Sequence, residues 1–269
     1  MDEKTPDTTT EMKANLGKPT AIVFSFDTTG SMQPCIQQVR QKLRDLVEMM
    51  RQDIPDLRIG LISHGDYCDG PNAIHVLDLT TDLEKIMQFI NETPNTGGGD
   101  APECYELALN RANSMSWPAE GGSLVLIGDD EPHDPNYPQN TDHLDWREEV
   151  KALKAKKVNV FPLQCLQADY KKGANLFWEQ VSGEAGTPLL ILENFKDSAS
   201  TLEAAAYAAG SAATGDAALY KGYLGKYAAA PACAFDGESV GSAENLCSNR
   251  GKLDAWTETN TTTDSSKTE

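Results

Sequence analysis

From Ala21 to Phe26 the chain is apolar at all but one position, and its apolar residues then fall three and four apart, at Ile36, Val39, Leu43, Leu46, Val47 and Met50. A near-continuous apolar run suits a strand buried on both faces of a sheet, and the spacing that follows is that of an amphipathic helix closing near Pro55. The same exchange recurs along the chain. Leu57–Ile62, Ile74–Leu79, Ser123–Ile127, Val158–Leu163 and Leu189–Leu192 read as further strands. Between them, helices are predicted from the capping box Thr81-Asp82-Leu83-Glu84 through Ile90, and from Asp100-Ala101-Pro102-Glu103 to about Met115. Others open at Asp145-Trp146-Arg147-Glu148 or span about Ala174 to Val181 and Ser198 to Ala213. Strand and helix in alternation predict an α/β fold with a doubly wound, mostly parallel central sheet flanked by helices.

A chain of 269 residues can bury one such core and carry an appendage. The expected division is a polar N-terminal segment over 1–17, the α/β domain over 18–213, a partly helical extension over 214–256 and a disordered polar tail over 257–269. In the extension, Leu219, Tyr220, Tyr223, Leu224 and Tyr227 could form one short helix with an aromatic face, while Asp236–Asn249 reads as loop. Acidic residues outnumber basic ones by 41 to 23, a net charge of −18 that repels phosphate backbones and anionic lipid. Neither nucleic acid nor membrane is an expected partner. With no apolar signal core near Met1 and no run of spanning length, the expected compartment is the cytoplasm. Six scattered cysteines without a C-x-x-C pair read as free thiols, although Cys233 and Cys247 could pair in an exported protein.

The chemistry-bearing residues collect where apolar runs end. Asp27, Thr29 and Ser31 follow the first strand, Asp129 follows the fourth, and Asp100 follows the glycine turn Gly97-Gly98-Gly99. Open α/β sheets bind ligands beyond the carboxyl ends of strands, where the strand order reverses. If the first and fourth strands are neighbours there, Asp27 and Asp129 converge and Asp100 reaches them from its helix start. Carboxylates and hydroxyls are hard oxygen donors suited to Mg2+, with Mn2+ or Ca2+ as alternatives. Asp100 and Glu103 also have the spacing of a capping box, and Thr96 is the rival oxygen in that loop. Asp130, Glu131, His133 and Asp134 read as a polar rim rather than a second metal centre. His64, Asp66 and Asp69 read as a polar loop.

With these residues in place, the chain resembles a von Willebrand factor type A domain with a metal-ion-dependent adhesion site, over about Lys18 to Ala213. The strings GGGDAPE at Gly97–Glu103 and GDDEPHD at Gly128–Asp134 are similar to the branch that includes intracellular alpha-kinase-linked A domains. The resemblance implies a Rossmann-like fold and a non-enzymatic protein-interaction module. It also implies that Asp27, Thr29, Ser31, Asp100 and Asp129 hold Mg2+ while a partner's Asp or Glu completes the shell. Thr29 stands where the family more often has serine, and Asp100 where adhesion-type members place a threonine; the added charge should weaken the ion's pull on an incoming carboxylate.

Two other functions stay open. A metal-dependent hydrolase or phosphotransferase is one, with His133 as its candidate general base. A haloacid-dehalogenase-type nucleophile would need a carboxylate where Thr29 stands, and the one G-x-S-x-G string, Gly237–Gly241, falls in loop-like sequence. The other is a scaffold assembling through its flanks, the aromatic face of Tyr220–Tyr227 included, with a structural or absent ion.

Overall fold

A computed structural model describes residues 19–54, 56–165, 172–192, 198–227 and 240–260. The strands are β1 (Thr20–Asp27), β2 (Leu57–His64), β3 (Ile74–Thr80), β4 (Gly122–Gly128), β5 (Val158–Cys165) and β6 (Leu190–Leu192). The helices are α1 (Gln33–Asp53), α2 (Leu83–Glu92), α3 (Tyr105–Asn113), α4 (Trp146–Ala155), α5 (Lys172–Ala185), α6 (Ser198–Thr214), α7 (Ala217–Tyr227) and α8 (Val240–Asn260), with a 3₁₀ turn at Tyr67–Asn72. The sheet order is β3-β2-β1-β4-β5-β6, parallel throughout except that β3 runs antiparallel to β2. Every strand expected from the sequence is present, and the order reverses between β1 and β4, as the doubly wound reading requires.

The apolar runs are continuous because the sheet is covered twice. From β1, Ile22, Phe24 and Phe26 face a layer of α1, α2 and α6, where they meet Ile36, Leu43, Leu46, Ile86 and Leu202. Val23, one position out of phase, faces α3, α4 and α5 through Leu109, Val150 and Trp178. Alternation along β4 is the same, with Val125 and Ile127 on the first side and Leu124 and Leu126 on the second. Runs of Ala204–Ala209 let α6 lie close to the sheet, where Ser123 Oγ donates to Ala209 O at 2.9 Å.

Helix starts correct the sequence reading in two places. The first turn of α2 is capped by Asp82, whose side chain accepts from the amides of Glu84 and Lys85, not by Thr81. The Asp100–Glu103 box does not form: α3 begins at Tyr105 after Cys104, with no side-chain cap, and Glu103 is instead bridged to Pro132. Asp145 caps α4 as expected, accepting from Arg147 N.

The C-terminal extension is more ordered than its sequence suggests. Helix α8 covers residues read as loop up to Asn249 and runs through Thr257–Asn260, the start of the expected tail. Asn249 closes the edge of β6 by donating to Ile191 O at 2.6 Å and accepting from Ile191 N at 3.1 Å, as a neighbouring strand would. Leu253 is fully buried, and the Trp256 ring meets Phe161 edge-on. Tyr220 and Tyr223 are core residues, Tyr223 stacking on Tyr207 at 4.6 Å, so these two rings are unavailable as a docking face. The segment 1–17, most of the expected tail and the Gly237–Ser239 part of the G-x-S-x-G string lie outside the described residues, as does Cys233.

If α8 belongs to the core, Leu253→Ala removes a fully buried side chain and should cost about 2–4 kcal/mol in urea unfolding; a surface helix would lose almost nothing.

Candidate metal centre

Parallel pairing of β1 with β4, in register from Ile22↔Ser123 to Phe26↔Ile127, sets Asp27 and Asp129 at neighbouring strand ends, both fully buried. A chain of hydrogen bonds joins them. Thr29 donates to Asp27 Oδ1 through its amide at 2.8 Å and its hydroxyl at 2.7 Å. The Thr29 and Ser31 hydroxyls are 3.3 Å apart, and Ser31 Oγ donates to Asp129 Oδ1 at 3.1 Å. Four of the five residues expected at the site are therefore brought together.

Tyr105, which the sequence reading passed over, organises this group from the second layer. Its hydroxyl donates to Asp27 Oδ2 at 2.7 Å and accepts from the amides of Asp129 at 3.1 Å and Asp130 at 3.2 Å. One donor and two lone pairs are all a phenol has, so its inventory is filled. A Cβ on Gly128 would overlap the Tyr105 hydroxyl, which explains the glycine before Asp129. Burial raises the Asp27 carboxyl above its ordinary value, against the opposing bonds from Thr29 and Tyr105.

The third loop contributes differently from the expectation. Thr96 Oγ1 lies 2.9 Å from Thr28 Oγ1, and Thr96 N donates to Thr28 O at 2.9 Å, which ties the loop to the end of β1. Gly98 has φ +71°, which favours glycine, and a Cβ there would come 2.8 Å from Glu103 Oε1, so Glu103 lies close under the loop. Glu103 is buried, and its carboxyl is pushed up to about 10 by burial and by the charges of Asp27, Asp66, Asp130 and Asp129. Asp100, by contrast, has a side chain 50% exposed; its carboxylate faces His133 Nε2 at 3.4 Å and accepts from Tyr137 Oη at 3.2 Å. Glu103, not Asp100, is the acid of this loop that lies among the strand-end carboxylates.

Beside this group is a second one. The polar-rim and polar-loop readings hold for Glu131, Asp134 and Asp69, which keep contact with solvent, and fail for Asp130, His133, His64 and Asp66, which are all buried. His133 Nε2 is 3.2 Å from Asp66 Oδ1, and its Nδ1 is 3.7 Å from Glu106 Oε1. Tyr67 and Tyr137 flank the imidazole, with ring centroids at 5.1 and 4.1 Å. Asp66, Cys104 and His133 each present a ligand atom within 4.8 Å of the others. No local pattern announces them, since they come from the turn after β2, the start of α3 and the connection after β4.

A family model described as von Willebrand factor A domain matches residues 21–160. The chain is 26% identical over 119 residues to the alpha-protein kinase vwkA of Dictyostelium discoideum, a match covering 43% of this chain and 19% of that protein. In fold it is similar to two structures of the pilus adhesin SpaC from Lactobacillus rhamnosus GG, with TM-scores of 0.53 and 0.54 at 14% and 15% identity. Each of those alignments covers 77% of this chain and 31% of the adhesin. The chain thus spans under a third of each of these relatives.

Tyr105→Phe removes a bond to a buried carboxylate and strands two amides, so unfolding in denaturant should show a loss of about 2–4 kcal/mol. The folded protein also holds the Glu103 proton more tightly than the unfolded chain. Without metal, the stability that this proton contributes is full below about pH 4.5 and is lost as pH rises toward about 10. The slope is roughly 1.4 kcal/mol per pH unit for one proton, and Glu103→Gln should flatten it in urea titrations compared at pH values across that window.

Proposed function

The chain belongs to the von Willebrand factor A domain family, and from that premise we propose that it is a non-enzymatic protein-interaction module whose β1–β4 strand ends hold a divalent cation, Mg2+ foremost, that receives an acidic residue of a partner. Domains of this family typically mediate protein–protein interaction. The observation that carries the reading is the hydrogen-bonded chain Asp27–Thr29–Ser31–Asp129 across two adjacent strand ends.

The donors fit such an ion. All are hard oxygens, and among the described residues no Lys or Arg makes an ion pair with Asp27 or Glu103. Glu103 Oε2 is buried without a hydrogen-bond partner. Bound there, a divalent cation would supply positive charge with a coordination place for a partner's Asp or Glu, as Mg2+, Mn2+ and Ca2+ all can. The chain's own residues set the terms. Tyr105 fixes Asp27 from behind, Thr29 and Ser31 present hydroxyls from the turn into α1, and Asp129 closes the opposite side. Glu103 would add charge once a bound cation displaced its proton. Asp100, at the rim with His133 and Tyr137, is assigned the outer part of the site, where it would oppose an incoming acid.

Catalysis has less support. His133 has no exposed side-chain surface and faces three carboxylates, those of Asp66, Asp100 and Glu106, a poor position for a base that must meet substrate. Among the described residues no helix is long and apolar enough to cross a membrane. Cys68 and Cys104 are outside any disulfide, which supports placing the module in a reducing compartment such as the cytoplasm.

Calorimetry of the metal-stripped chain should show saturable Mg2+ binding that Asp27→Ala abolishes, and partner capture should then require Mg2+. Absence of binding to the intact chain would retire the reading.

A further inference from the structure

Beside the hard-oxygen site, a thiol, an imidazole and a carboxylate that it does not use come together in the interior. Cys104 comes from the residue before α3, His133 from the connection after β4, and Asp66 from the turn after β2; all three are buried. Their ligand atoms lie within 4.8 Å of one another. We propose that Asp66, Cys104 and His133 form a second, structural metal site, selective for Zn2+ over Mg2+, that staples these three loops together.

The donor set is the first argument. Sulfur, nitrogen and oxygen in one cluster suit zinc, while magnesium avoids thiolate and imidazole. Distances agree with it. Two ligands at about 2.0–2.1 Å from a tetrahedral centre stand roughly 3.3 Å apart, and His133 Nε2 is 3.2 Å from Asp66 Oδ1 and 3.4 Å from Asp100 Oδ1. Asp100 lies on the exposed side of the imidazole, outside the group of three.

The surroundings of the imidazole give an independent argument. A metal-bound histidine commonly turns its other ring nitrogen toward a carboxylate, which fixes the tautomer. Behind His133 is Glu106, fully buried, with Oε1 3.7 Å from Nδ1 and Oε2 accepting from the His133 amide at 3.2 Å. Yet neither ring nitrogen of His133 makes a hydrogen bond, although both are buried, while the carboxylates around it have other partners, Glu106 the Tyr67 hydroxyl and Asp66 the Cys68 thiol and the Tyr67 amide. An imidazole aimed at carboxylates with both nitrogens unsatisfied is costly in a protein interior unless something sits beside it. Cys104, at the start of α3, has the helix's positive end to favour its thiolate. Burial and four nearby acids, Glu106, Asp66, Glu103 and Asp69, push that thiol up, and a cation would reverse this.

The test uses the full chain, reduced and metal-stripped, in excess Mg2+ so that the oxygen site is occupied by its own ion. Co2+ is titrated as a spectroscopic stand-in for zinc. The expected result is one equivalent bound with thiolate-to-cobalt charge-transfer absorption and the intense visible bands of four-coordination, displaced by Zn2+. Cys104→Ser should remove the charge-transfer band, and His133→Gln should weaken Co2+ binding by about tenfold or more, with circular dichroism checking that each variant folds. Absence of the band, or a band that persists in Cys104→Ser, overturns the site. Because the band reports sulfur, which the strand-end site lacks, this outcome is separate from the fate of the Mg2+ reading.

Discussion

Two carboxylates buried side by side at the ends of β1 and β4 are the constraint around which this domain is arranged. Isolated, each would be too costly to remove from water as an ion. Here Asp27 and Asp129 sit on one polar lattice in which the Tyr105 hydroxyl is the central node, giving its proton to Asp27 and receiving the amides of Asp129 and Asp130. The Tyr105 ring is also a packing element, in contact with His64, Phe177 and Trp178. One side chain therefore serves both the core of the second helical layer and the floor of the site. Rigidity of the donors is a consequence of the same packing that makes the sheet stable.

The layers explain how this lattice is kept aligned. Six strands share one register direction apart from β3, so all parallel strand ends open on one edge. Helix α6 locks β4 from the other side through Ser123, and α8 closes the far edge at β6 through Asn249. The C-terminal helices are therefore part of the support for the sheet and not a separate appendage, although they lie beyond the residues matched by the family model.

What was legible in the sequence follows from what sequence can encode locally. Apolar runs and their period placed the strands and most helices, because burial on both faces leaves few polar positions to confuse them. Strand ends then placed Asp27, Thr29, Ser31 and Asp129. Helix α8 escaped because its inward face is carried by Asn249, Leu253, Trp256 and Thr257, a helical spacing in which two of the four residues are polar. Asp100–Glu103 imitated a capping box because acids three positions apart carry no label for their partners; tertiary contacts drew Glu103 under Gly98 and Asp100 out toward His133. Tyr105, Cys104 and His133 could not be paired with their neighbours from spacing, since the contacts that define them cross between separate βα units.

The run Glu103-Cys104-Tyr105-Glu106 shows why. Residues on one helix face recur at three and four, yet here four consecutive side chains are all buried, which a regular helix cannot direct into a single site. The break is at Cys104, whose ψ of 46° keeps Glu103 outside the helix and lets it bridge to the connection after β4. Glu103 then lies among the strand-end acids and Tyr105 reaches Asp27, while Cys104 and Glu106 turn to His133. The positive end of one helix offers about half an elementary charge, too little to offset the acids gathered on both sides of it. The proton that Glu103 holds offsets part of that charge, and a cation would offset more; the donors of the two proposed sites differ, oxygen alone toward β1, with sulfur and nitrogen toward the loop of His133.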